Sequence, residues 1–385
     1  MTPFAPIFVP APLREAVSDE AWLDAMLDAE RALANAASIA GAIPAHAAAA
    51  IADCCRAELF DVEQLCDAGR EAGNPVEPLA RALRERVGGE AAQYVHFGAT
   101  SQDILDTAAA LVARNATAFV VDELEGVARV CAQLADEHRA TVMAARTLLQ
   151  QAVPTTFGLK AANWLVGLVH ARERLMGARL PAQLGGAAGT LAALGDKGLD
   201  VLHAYAEELD LPEPVLPWHT RRLPLAELGA ALAVAAGFAA KIALDLALLA
   251  QTEVGEVRLP ADGKSSTMPH KQNPVGCVLA RACAEHVHAA AGVLLHVEHE
   301  HERAAGAWHA EWKALSDALA YAGGAAAWLR ETLEVLGVDT ERMRANLRSE
   351  TMSEAERFAP DARGPEDYLG SADALIDRAL AFYRG

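Results

Sequence analysis

Apolar residues recur at helical spacing along most of this chain, with polar residues between them, as in helices that each bury one face. Residues 19–40 follow the pattern; Gly41 and Pro44 break it, and 45–65 resume it. Gly73-Asn74-Pro75-Val76 predicts a turn, since Asn-Pro is a common turn starter. The segment Tyr94-Val-His-Phe-Gly-Ala-Thr-Ser-Gln-Asp103 opens a helical run that meets no proline or glycine up to Glu125 and resumes to His138. Further helices are expected over 159–175, 191–209, 224–249, 275 to about 303, and 315–336, with two more after Thr340. Strand alternation is nearly absent. The expectation is an all-α protein of three helical domains: 1–93, a central long-helix bundle over 94–337, and a short C-terminal part over 338–385.

The run 224–249 is apolar on nearly every face, which predicts burial against several neighbours. Five long helices with one such member are more than a single chain can cover, so association through the bundle follows. Composition agrees: 52% of residues are hydrophobic and only 5% aromatic, which favours helices over a sandwich or barrel. The formal net charge of −19 argues against nucleic acid and anionic membranes as partners, and an anionic substrate would need a local positive pocket. The longest apolar stretch, 228–240, lies between Glu227 and Lys241 and is too short to span a bilayer. The N-terminus lacks the order of a signal peptide, and the six cysteines show no C-x-x-C spacing. A soluble cytoplasmic protein with reduced thiols is expected.

Candidate chemistry concentrates in polar segments between these helices. Residues 263–274 read Gly-Lys-Ser-Ser-Thr-Met-Pro-His-Lys-Gln-Asn-Pro, where Ser265 and Ser266 offer hydroxyls, Lys271 a cation, and Asn273-Pro274 a start for the next helix. A phosphate-binding P-loop is not expected, because the required earlier glycine is Arg258 and the sequence shows no strand signal before it. Thr100 and Asp103 form a capping-box pair, and the helix start they cap is also a place where unpaired N–H groups favour a carboxylate. A second polar cluster, 146–158, reads as an ordinary connection. His286, His288, His296, His299 and His301 raise the question of a metal. Their spacing lacks a His-Glu-x-x-His motif, and the alternating Glu298, Glu300 and Glu302 predict a solvated face, so no metal is expected.

Together, the segments around Thr100, Gln151 and Ser265 resemble the fumarase/aspartase superfamily, and within it the bacterial 3-carboxy-cis,cis-muconate cycloisomerases. Ser-Ser-Thr-Met-Pro-His-Lys-Gln-Asn-Pro carries the superfamily, and Glu300-His-Glu-Arg-Ala-Ala-Gly-Ala-Trp-His-Ala-Glu-Trp312 the cycloisomerase branch. The resemblance runs from Ala5-Pro6-Ile7-Phe8 to Tyr368-Leu-Gly-Ser-Ala-Asp-Ala-Leu-Ile-Asp377. It implies a homotetramer with a twenty-helix core, active sites shared between subunits, a small polycarboxylate substrate and no cofactor. It also implies that Ser265 is the proton-transfer group with Lys271 beside it, and that Thr100, Ser101, Thr147, Gln151, Asn273 and Arg303 hold substrate. Ser266, Arg146, His96 and Asn74 are reserve candidates.

Three positions depart from common superfamily patterns. Lys264 stands where glycine is usual. Leu148 stands where the superfamily's lyases carry histidine, and Trp312 where adenylosuccinate lyase has arginine. The last two favour a cycloisomerase. The alternatives are a lyase that eliminates a nitrogen group from a substituted succinate, and a catalytically silent tetrameric scaffold.

Overall fold

The computed structural model describes residues 3–259, 268 and 271–385; Gly263, Lys264, Ser265 and Ser266 lie outside the described residues. The chain opens with two short helices, α1 (Ala5–Phe8) and α2 (Ala11–Ala16). They lead into α3 (Asp19–Ile39), whose Ser18 accepts from the Ala21 N–H as a cap and whose buried residues recur at helical spacing. Then come α4 (Ala45–Cys54), α5 (Val62–Ala72) and α6 (Val76–Val87). The predicted turn before α6 is present: Gly73 sits at φ 71°, and Asn74 Oδ1 accepts from the N–H groups of Val76 and Glu77.

Five long helices form the body, as the hydrophobic pattern predicts: α7 (Ser101–Glu137), α8 (Phe157–Gly177), α10 (Leu223–Leu249), α11 (Val275–Leu294) and α12 (Ala307–Glu334). The short α9 (Gly198–Glu208) packs on α3. Helix α7 runs unbroken through Gly126, where Arg330 of α12 crosses and an added Cβ would stand 2.6 Å from its Nε. At Gly158 a Cβ would fall 2.6–2.8 Å from backbone atoms of Ala135, His138 and Arg139, so only glycine lets α8 start against the end of α7.

Four expectations are corrected. The cluster 146–158 is not a plain connection: β1 (Val142–Thr147) pairs antiparallel with β2 (Gln150–Thr156). Its turn residues, Leu148 and Leu149, both have positive φ, a conformation usually given to Asn-Gly, so the hairpin signal is missing from the sequence. Helix α11 stops at Leu294 instead of near Arg303, where the buried positions spaced three and four apart run out. Helix α12 begins at Ala307, eight residues before the apolar pattern suggests, its first turn anchored by buried Trp308. The C-terminal part holds three α-helices, α13 (Thr340–Asn346), α14 (Ser353–Phe358) and α15 (Ala372–Arg384), after a small pair of strands, β3 (Val257–Arg258) and β4 (Gly337–Val338).

By length and composition, α7 and α10 could cross a membrane. Most of the apolar window of α7 is buried inside the chain (67%), but less than half of that of α10 (44%), which leaves α10 with apolar surface to cover.

Candidate active site

Thr100 caps α7 as the sequence predicts, its N–H donating to Asp103 Oδ2 at 3.0 Å, and Ser101 opens the first turn. Asp103 does more than cap. It is fully buried and accepts four bonds: from Thr100, from the N–H groups of Gly185 and Gly186 (both 2.9 Å), and from His219 Nε2 (2.7 Å). The helix start is thereby tied to the 181–189 segment and to the loop before α10. Arg303 joins the same place, donating to the Gly186 carbonyl at 3.0 Å, while its Nε is buried without a hydrogen-bond partner among the described residues.

One turn deeper lies an ionic cluster with no periodicity signal in the sequence. Arg222, 2% exposed, donates to both Asp106 oxygens (2.7 and 3.0 Å) and to Glu311 (2.6 Å), and its guanidinium lies 4.5 Å from the Trp218 ring centroid. Trp308 Nε1 also donates to Asp106. Burial raises the Glu311 carboxyl above its ordinary range, against the pull of Arg222. His299 corrects the solvated-face expectation: its side chain is wholly enclosed, with Nε2 3.4 Å from Glu311 Oε1, and burial lowers its pKa. Removing one partner from such a cluster leaves an uncompensated buried charge.

His96, four residues before the cap, lies 2.5 Å through Nδ1 from Oε1 of buried Glu30 on α3. Burial lowers its pKa, but the charge of Glu30 and its hydrogen bond outweigh that, and the net shift is upward.

The other candidates stand elsewhere. Thr147 and Gln151 belong to the hairpin. Arg146 makes a bidentate pair with buried Glu256 (2.9 and 2.6 Å), and Asn346 of α13 donates to Glu256 and accepts from Gln151 Nε2 at 2.8 Å. Arg146 is thus committed to holding the hairpin, and Asn74 to capping α6. Beyond the hairpin, Leu148 (97% exposed) and Leu149 (75%) form its tip. Asn273 lines a cavity of about 560 Å³ with Trp328 and Thr332 near the end of α12, and Lys271 is exposed just before it.

Among the described residues these groups do not meet within one chain. Helix α7 has 37 residues, so Thr100 and the hairpin that follows its far end are roughly 55 Å apart at 1.5 Å per residue. Helix α12 separates the two ends in the same way: Trp308 reaches Asp106 near the start of α7, whereas Thr332 lies beside Asn273. The hairpin shares that second end, because Glu256 adjoins β3, which pairs with β4 just after α12. The arrangement is two groups of candidate residues at opposite ends of a rod.

A family described as Lyase matches residues 9–289. The chain belongs to this lyase family. It is an enzyme of the fumarase/aspartase superfamily, similar to bacterial 3-carboxy-cis,cis-muconate cycloisomerases among others. A Bradyrhizobium diazoefficiens protein of that name is 45% identical over 98% of this chain and 87% of its own length. A nitrosuccinate lyase from Streptomyces davaonensis is 49% identical over 89% of this chain and 76% of its own. The crystal structure of the 3-carboxy-cis,cis-muconate lactonizing enzyme of Pseudomonas putida superposes with a TM-score of 0.93 over 99% of each chain, at 37% identity.

For a member of this lyase family, the residues that sequence reasoning passed over are the supporting ones: Asp106, Arg222, Glu311, Glu256, Asn346 and Glu30. Asp103 and Asp106, three apart on α7, are the nearest to a readable signal.

Proposed function

We propose that the chain is a cofactor-independent cycloisomerase that lactonises 3-carboxy-cis,cis-muconate to 4-carboxymuconolactone. What carries this reading is likeness over nearly the whole length to enzymes of that name, in sequence and in fold. A carboxylate oxygen of the substrate adds to its own conjugated double bond, and the displaced electron pair moves into a neighbouring carboxylate. A proton then goes to carbon. The capped start of α7 (Thr100, Ser101), the amides of Gln151 and Asn273, and the cation of Lys271 suit the developing negative charge. Ser265 is assigned the proton transfer, Lys271 stabilising its alkoxide.

On this reading the protein is a homotetramer. The start of α7 in one copy meets the hairpin and the 271–273 segment of others, and the uncovered apolar face of α10 lies in the shared core. The cytoplasm, where such thiols stay reduced, is its proposed location.

The test is ultraviolet absorbance of 3-carboxymuconate mixed with the purified protein: the conjugated-diene band should decay. The Streptomyces relative favours a second reading, elimination from nitrosuccinate to fumarate and nitrite. Nitrite release with no decay of the muconate band would replace the first reading by the second. Loss of neither substrate would favour a silent scaffold.

Within the cycloisomerase reading, Ser265→Ala should lower kcat by about 10²- to 10⁴-fold with KM held, and Lys271→Ala should raise KM as well. Ser266→Ala is the control. A crippled Ser266→Ala beside a mild Ser265→Ala would move the proton carrier by one residue.

A further inference from the structure

We propose that His96 is a carboxylate-binding residue of the half-site at the start of α7, with Glu30 as its positioning residue. The inference rests on the reading that this site takes a polycarboxylate, and it gives His96 a definite role there.

The geometry around His96 is costly to hold. The residue sits at φ 62°, in the left-handed region that non-glycine residues occupy uncommonly, though histidine more often than most. Such strain persists only where the surroundings over-determine it, and it gathers at functional sites. Glu30 contributes a second cost: it is 1% exposed, its Oε1 engages His96, and its Oε2 has no partner among the described residues. A buried carboxylate with one free oxygen is an expensive way to tether a loop, since a neutral pair would serve as well. As an orienting group it makes sense. It fixes Nδ1 as the donor toward α3 and leaves Nε2 with no hydrogen bond within the described protein, on a side chain that is 12% exposed.

The charges facing the ring come from every side. Glu30 approaches from α3, Asp103 from α7 and Arg84 from α6, whose Nη2 donates to the Val95 carbonyl. Tyr205 of α9 lies near Glu30, and burial pushes its hydroxyl up, so it stays neutral. Asp103 spends both oxygens on four donors. Glu30 is the carboxylate in contact with the ring, and with it the imidazole keeps its proton above the usual range. A charged Nε2–H four residues before the cap of α7 has the chemistry of a carboxylate donor.

The experiment is calorimetric titration of the whole protein with tricarballylate, an unreactive tricarboxylate, at about pH 6 and about pH 8, on either side of ordinary histidine titration. Wild type should bind, and more weakly at the higher pH. His96→Gln should bind about tenfold or more weakly at the lower pH, as for loss of one charge-assisted hydrogen bond. Glu30→Gln lets burial dominate the ring, so its affinity should fall off at lower pH than in wild type while recovering on acidification. A purely structural tie would lower the melting temperature of both variants without moving the pH profile of binding, and that result overturns the proposal. So does wild-type affinity in His96→Gln, or no binding by wild type. If tricarballylate binds through His96 but 3-carboxymuconate is left unchanged, the cycloisomerase reading fails and the role of His96 stands.

Discussion

Arg222 shows what a single side chain does for this site. Asp106 and Glu311 are both nearly buried, and Arg222 is the cation that lets them remain there beside α7. Replacing it by methionine keeps much of the volume and strands two carboxylates, which should destabilise the fold by about 3–5 kcal/mol in chemical denaturation. The pH dependence has a definite sign. A carboxyl whose folded pKa lies above its unfolded value contributes stability at low pH that is lost as pH rises, and Glu311, ordinarily near 4.5, is already raised. Arg222→Met should therefore lose most near neutrality and less as the pH falls toward about 5. A loss independent of pH would mean that packing against Trp218, not charge, is what Arg222 supplies.

At the scale of elements, the long helices were legible because each keeps one 3.6-residue period over many turns. The hairpin was not. Its strands lack alternation, Pro154 interrupts the second, and its turn is built from two leucines in a conformation that favours asparagine and glycine. The site was legible in the same uneven way. The capping pair Thr100 and Asp103 stands in one helix start and could be read there, whereas Arg222, Glu311 and Glu256 reach their partners from distant segments. The enclosed His299 was misread for the same reason: its neighbour Glu311 belongs to another element.

The hairpin tip gives a prediction at this scale. Leu148→Asn with Leu149→Gly should stabilise the isolated fold, since each leucine held in the left-handed region costs roughly 1–2 kcal/mol, and should at the same time lower turnover. A gain in melting temperature with full activity would show that the leucines serve neither assembly nor catalysis. At the junction of α7 and α8, Gly158→Ala should destabilise by about 1–3 kcal/mol, because the new Cβ meets backbone that has no room to yield.

The whole molecule is a bundle with a group of candidate residues at each end, which is the basis of its proposed assembly. Light scattering should report about four times the 40.6 kDa chain mass, and a stable monomer would remove the basis for shared sites. The most direct measurement is complementation between two variants, each inactive alone. Thr100→Ala carries damage at the start of α7 and Lys271→Ala at the opposite end. The two are co-refolded or subunit-exchanged, and consumption of 3-carboxymuconate is followed by absorbance. If sites form where the ends of different copies meet, mixed tetramers contain some sites with both ends intact, and activity returns to a sizeable fraction of wild type. If each chain holds its own complete site, the exchanged mixture stays as inactive as its parents, and the account of two half-sites brought together by assembly is contradicted.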